Sequence, residues 1–376
     1  MLKATLLGAV SALTLYATAA AAGETLTITS WTGEKHPFSV DYADFVERVA
    51  RNSEGRVDFD LYVGGALLPP NAVLAGIRDG VADIGNNVGA YTPADLPINN
   101  LLNDVSFASS NSVAAGIAMT EMTLMNQAAR AEWEDHGVVF INGWSTPVYY
   151  LACTQDVRTF ADLDGLKIRT AGGAHVEWAK SANGIPVSVP FSDVYSGLQR
   201  GSIDCVMMNA SDMGEGFQIA EVADNYTLLP LGTHTSGVQY MFNKDAWADL
   251  PTEDRNMLLR ELARQLVRFQ LRYEVLSAEG MQAAIDQGVD IREPDPSMVE
   301  SLAAFKEAYY ASLPQTTEEK RGIPAAQAKV LMEEYAALYN KWQSLLEGID
   351  VTDEEAVLAL VEQEIYSKLD PKTFGL

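Results

Sequence analysis

LDGLKIRTAGG (163–173) and IPVSVPFSDVYSGLQRGSIDCVMMN (185–209) decide the architecture. Leu166-Lys167-Ile168-Arg169 alternates and is too short for a helix, and Gly172-Gly173 breaks the chain after it. Ile185 to Pro190 is a second β-branched run, closed by proline. Ser192 is placed to cap a helix through Tyr195, Leu198 and Gln199, which Gly201 stops. Ile203 to Met208 is a third apolar run, leading out to Asn209. Strands alternating with short helices imply parallel pairing, and such sheets bind ligands beyond their strand C-termini. Arg169 and Asn209 both fall near such ends. This stretch is therefore the expected half of a ligand site.

The same pattern occurs near the start of the chain. TLTITSW (25–31) alternates like a strand, Tyr42, Phe45, Val46 and Val49 mark a helix face, and Arg56 to Val63 is a strand. Asn71 then caps a helix through Val73, Leu74 and Ile77, and ADIG (82–85) is a third strand leading to Asn86-Asn87. Two β-α-β-α-β units imply two similar α/β lobes. Residues 92–106 read as a surface loop and 113–133 as mostly helical. Gly137 to Trp144 reads as a buried strand, with a crossing between lobes near Thr146-Pro147. Tyr149 to Cys153 then opens the second lobe, and Gly237 to Asn243 returns to the first. From Thr252 a helix of roughly 35 residues, about 50 Å long, is long enough to brace both lobes. After Ser297 the chain is helical, punctuated by Pro314, Gly322-Ile323-Pro324 and Gly348. The expected division is lobe I from 23–147 plus 237–270, and lobe II from 148–236 plus 271–376.

Residues 1–22 combine Lys3, an apolar run and Ala20-Ala21-Ala22, the pattern of a secretory signal peptide. That predicts an exported, periplasmic mature protein. The formal net charge of −25, from 26 basic against 51 acidic residues, makes nucleic acid and anionic lipid poor partners. In so acidic a chain an arginine in a cleft gains value, because it is suited to a carboxylate pair. Cys153 and Cys205 are a disulfide candidate in an oxidising compartment, with two buried thiols as the alternative. No CxxC or HxxxH spacing suggests a metal, and no cofactor fingerprint of the Walker or GxGxxG type is present. No GxSxG or recognisable catalytic histidine setting supports an enzyme. Trp31, Trp144 and Tyr149 lie near strand ends, where aromatics either wall an organic ligand or pack a core.

In this order DLDGLKIRT (162–170), VPFSDVYSGLQRGSIDC (189–205) and LAGIRDGVADIG (74–85) resemble the DctP-type solute-binding proteins of tripartite ATP-independent periplasmic (TRAP) transporters. The resemblance runs across nearly all of the mature sequence. It implies two α/β lobes joined by crossing strands and a long helix, closing over ligand. It also implies delivery of solute to a small and a large integral membrane subunit. The family's carboxylate-clamping arginine ends the GLKIR strand, which is Arg169 here. Sialic-acid-type members carry a second arginine where this chain has Tyr149, and their DGQEN motif places the asparagine one residue before Asn209. The expectation is a monomeric, non-enzymatic binding protein for a small monocarboxylate or modestly apolar organic acid. Its ligand would sit between Arg169, Asn209 and Tyr149 on one side and Trp31, His36 or Asn86 on the other, with Trp144 nearby. An ABC-type or sensor binding protein, a secreted enzyme on the same fold, and a structural envelope protein are the alternatives.

Overall fold

A computed structural model describes residues 24–350 and 352–376, so the expected signal peptide at 1–22 lies outside the described residues. Strand β1 (Glu24–Thr29) leads to helix α1 (Pro37–Asn52), strand β2 (Val57–Tyr62), helix α2 (Val73–Arg78) and strand β3 (Ile84–Asn87). Helices α3 (Pro97–Ser106), α4 (Ser112–Met125) and α5 (Gln127–Glu134) precede strand β4 (Val138–Asn142). The chain then crosses to β5 (Tyr150–Cys153), β6 (Lys167–Arg169), α6 (Gly173–Ser181), β7 (Ile185–Val187), α7 (Val194–Gln199), β8 (Cys205–Met208) and β9 (Asn225–Thr227). It returns through β10 (Val238–Asn243), α8 (Lys244–Asp249) and α9 (Thr252–Asp286), and ends with β11 (Asp290–Arg292), α10 (Pro296–Arg321), α11 (Ala325–Leu346) and α12 (Glu354–Glu364).

Two mixed sheets result, in the orders β2-β1-β3-β10-β4 and β11-β9-β5-β8-β6-β7. In the first, β1 runs parallel to β2 and β3. In the second, β6 runs parallel to β7 and β8. One antiparallel strand that has crossed from the other side enters each sheet, β10 in the first and β5 in the second. The two crossing segments pair with each other: the Tyr149 amide donates to the Gly232 carbonyl at 2.7 Å and the Thr146 amide to that of His234 at 2.9 Å. Cys153 and Cys205 face each other across β5 and β8 and are joined by a disulfide.

Helix α9, at 35 residues, touches both lobes. Its first half packs on α1, where Gln265 Nε2 donates to the Asp41 carbonyl at 3.0 Å and Arg268 pairs with Asp44 at 3.1 Å. Its second half packs on the turn after β8, where Gly280 approaches the Ala210 carbonyl so closely that a Cβ would overlap it. The sequence-based lobes place all of 271–376 with the second, yet α11 and the C-terminus reach first-lobe residues. Trp342 Nε1 donates to Glu121 at 2.6 Å, and Trp247 Nε1 to the Phe374 carbonyl at 2.9 Å.

Several local expectations are corrected. The expected loop at 92–106 holds α3, opened by Pro97 at its first turn. Its buried asparagines satisfy the crossing strand: Asn99 Oδ1 accepts from the Gly237 amide at 2.7 Å and Asn103 Oδ1 from that of Thr235 at 2.8 Å. Neither Ser192 nor Asn71 caps a helix, because a 3₁₀ turn precedes the helix in both places. Helix α10 runs on through Pro314, with Tyr309, Leu313 and Thr317 buried on one face. Packing along that face offsets the one hydrogen bond a proline removes.

Candidate functional site

Parallel strands β6 and β8 end side by side, and β1 and β3 end opposite them in the other sheet. The chain leaving those four ends, with the crossing segments, encloses a cavity. Arg169, the last residue of β6, is 2% exposed and lines it. Its Nε donates to the Val189 carbonyl at 3.2 Å, which fixes the plane of the guanidinium. The Phe191 ring lies 5.0 Å from its central carbon. Nη1 is buried with no protein acceptor. A guanidinium nitrogen out of water and without a partner is costly, so it is a strong attractor for an acceptor brought by a ligand.

The remaining wall is mostly aromatic. Trp31, just past β1, stacks on Phe217 at 6.3 Å and 24°. His36 caps α1 by accepting the Phe38 amide on Nδ1 at 3.2 Å, and its ring meets Phe217 edge-on at 5.0 Å. Burial pushes the His36 imidazole down to about 3, so it is a neutral, apolar-faced wall. Trp144 packs edge-on against Phe38 at 5.0 Å. Tyr149 stacks on His234 at 5.9 Å, and burial raises its phenol well above the usual range against the opposing pull of Arg169. The indole nitrogens of Trp31 and Trp144 and His234 Nδ1 are buried and have no partner.

Five of the residues singled out from sequence thus meet around one cavity: Arg169, Tyr149, Trp144, Trp31 and His36. Two do not line it. Asn209 is fully buried behind the wall, where its Oδ1 accepts from the Ser211 amide at 3.0 Å and hydroxyl at 2.6 Å. Its Nδ2 donates to Asp212 Oδ2 at 3.2 Å and to the Tyr273 hydroxyl at 3.4 Å. It shapes the turn that carries Asp212. Asn86 is fully buried inside β3 with its side-chain amide unpartnered. That strand starts two residues later than the sequence pattern suggests, so Asn86 is not at its exit.

Sequence reading missed Tyr91, Phe191, Asp212, Phe217 and His234, which also line the cavity. Tyr91 and Phe191 join the lobes, since the Phe191 amide donates to the Tyr91 hydroxyl at 3.0 Å. Asp212 is 4% exposed. Burial pushes its carboxyl up to about 8, against the field of Arg169. The cavity as it stands is small, about 30 Å³. That is room for a water or two, so an organic ligand enters only when the walls part. Among the described residues, no cluster of His, Cys, Asp and Glu is arranged to hold a metal ion.

Residues 28–319 match the family of bacterial extracellular solute-binding proteins, family 7, called DctP. The chain belongs to that family. A solute-binding protein of Albidiferax ferrireducens is 24% identical over 225 residues, which cover 57% of this chain and 63% of that relative. The ectoine-binding periplasmic protein TeaA of Halomonas elongata is 26% identical over 233 residues, 61% of this chain and 65% of its own. The chain thus spans just under two thirds of each of these curated relatives. Among solved structures, a TRAP solute binding protein from Rhodoferax ferrireducens in complex with benzoate superposes with a TM-score of 0.75 at 20% identity. That match covers 86% of this chain and 99% of the other. This likeness establishes the fold, a two-lobed one of the periplasmic-binding type. DctP proteins are non-enzymatic binding proteins.

Proposed function

We propose that this DctP protein is the extracytoplasmic receptor of a TRAP transporter and captures a small organic monocarboxylate. The observation that carries the reading is Arg169 Nη1, a buried cationic donor with no protein partner, facing a cavity walled by aromatic rings. A carboxylate oxygen supplies the missing acceptor, and charge-assisted pairing of this type is the strongest hydrogen bond available to a side chain. With Tyr149 where sialic-acid-type members have a second arginine, the cavity holds one fixed cation, which favours one carboxylate over two. The rings of Trp31, Trp144 and Phe191 favour a flat or apolar body behind it. The benzoate bound to the Rhodoferax protein and the ectoine named for TeaA are of the size this reading calls for. The loaded protein then delivers its acid to a small and a large membrane subunit. Export to the periplasm and a monomeric state complete the proposal.

The test is a thermal-shift screen of the ligand-stripped protein against a panel of small organic acids. A ligand that binds only the native state stabilises it by about 2.7 kcal/mol at 100 times its Kd. A shift with one class of acid is expected, and Arg169→Ala is expected to abolish it. A shift that survives Arg169→Ala moves the carboxylate elsewhere, and no shift with any acid removes the reading.

A further inference from the structure

Among the described residues, Asp212 is the one acidic side chain lining the cavity. It sits in the 3₁₀ turn of residues 210–213, directly after β8, where Asn209 holds it through the 3.2 Å bond to Oδ2. Tyr273, from α9, also lines the cavity, and its hydroxyl accepts from the same asparagine at 3.4 Å. The carboxyl is therefore positioned by a network, like a built group, and does not wander on the surface. Arg169 feels its field, yet no direct ion pair joins the two among the described residues. A carboxyl that served only to neutralise Arg169 would sit against the guanidinium. Here the arginine spends one nitrogen on a backbone carbonyl and leaves another unpartnered.

Charge and hydrogen-bond balance then constrain the ligand. The wall is rich in donors: the arginine and two indole nitrogens lack protein acceptors. Asp212 is the carboxyl that accepts. With a plain carboxylate on Arg169, Asp212 stays neutral by keeping its proton, and its accepting oxygen meets no donor from the ligand. Unmet lone pairs in a buried site are costly. A carboxylate that also carries an N–H supplies that donor, with its carboxylate on Arg169 and its N–H on Asp212. If the nitrogen is cationic, Asp212 gives up its proton on binding, and the two ion pairs leave the cavity neutral overall.

We propose that Asp212 is a second anchor and specificity determinant of this site, selecting carboxylates that bear a hydrogen-bond-donating nitrogen close to the acid group. The inference rests on the carboxylate reading above and narrows its ligand class. Two matched pairs of probes isolate the nitrogen at nearly constant size: pyrrole-2-carboxylate against furan-2-carboxylate, and proline against cyclopentanecarboxylate. Dissociation constants for all four are measured by calorimetry on the wild-type protein and on Asp212→Ala, which removes the acceptor that asparagine would keep. The expected result is at least a tenfold preference for the N–H member of a pair in the wild type, falling to within about threefold in the variant. Equal binding within both pairs in the wild type overturns the proposal whether or not the variant folds. So does a preference that persists in Asp212→Ala, or binding confined to acids without nitrogen. In those three outcomes Arg169 can still be the carboxylate clamp. Absence of binding by every carboxylate removes the clamp as well, so the two failures are distinguishable.

Discussion

At the scale of single residues, the cavity works by placing groups where water cannot serve them. Arg169 is held by one nitrogen and left open at another, and Asp212 is held by Asn209 with its carboxyl in the same space. Burial raises Asp212 from 3.8 to about 8, which has a consequence for folding. Between those values the native protein keeps a proton that the unfolded chain releases, so stability falls as pH rises. Asp41, raised to about 8, and Glu132, raised to about 7, act in the same direction. His36 and His175, lowered to about 3 and about 4, act oppositely, but only below the ordinary histidine value of 6.5. From pH 6.5 to 8.5 the carboxyls therefore set the sign. Urea denaturation should show the wild type losing stability over that interval and Asp212→Asn losing less, because its amide does not titrate. An identical loss in both proteins would mean that Asp212 is already ionised in the native state at pH 6.5.

At the scale of elements, the site depends on how closely α9 lies against the turn after β8. Gly280 makes that approach possible: a Cβ there would overlap the backbone carbonyl of Ala210. Two effects compete in Gly280→Ala. Helix propensity favours alanine by about 1 kcal/mol in a helix interior, whereas forcing a methyl into a packed contact costs about 1–3 kcal/mol. The contact is with main chain, which yields poorly, so the clash should win. The variant is expected to unfold at lower temperature and to bind ligand at least several-fold more weakly, since residues 210–213 carry Asp212. A rise in melting temperature would show that propensity wins and the approach is looser. The long helix itself was legible in sequence, because its apolar residues repeat at helical spacing from Leu258 to Leu276. The strand bearing Arg169 was legible for the same kind of reason, alternation followed by a glycine break. Helix α3 was not, although Ile98, Leu101, Leu102 and Val105 carry the right spacing. Its asparagines read as loop chemistry, and their true role, accepting from the backbone of a crossing strand some 130 residues later, has no local signature. Asp212 was missed because one more acid among 51 is not distinctive until burial sets it apart.

At the scale of the whole molecule, function requires the lobes to part, since about 30 Å³ admits no organic acid. Among the contacts that join the lobes are the Phe191 amide on the Tyr91 hydroxyl, the Trp31 and His36 rings on Phe217, and Lys35 with Glu215 at 3.1 Å. They are unequal. Lys35 and Glu215 are 66% and 76% exposed, and exposed pairs of this type are worth between nothing and about 1 kcal/mol. Phe217 is half-buried, against two rings of the opposite lobe and Phe191 of its own; fully burying a phenylalanine side chain is worth about 1.5–3 kcal/mol, so the cross-lobe part is roughly half of that. Closure therefore rests on the aromatic contact, with the ion pair adding little. A ligand that binds the closed form sees an affinity reduced by the fraction of molecules able to close. Phe217→Ala should accordingly weaken binding by about tenfold or more, and small-angle scattering should show a larger radius of gyration without ligand that shrinks on saturation. Lys35→Ala should alter both readings little. The reverse ranking, with Lys35→Ala opening the protein and Phe217→Ala leaving it closed, would place the latch in the charge pair and assign the aromatic wall to ligand contact alone.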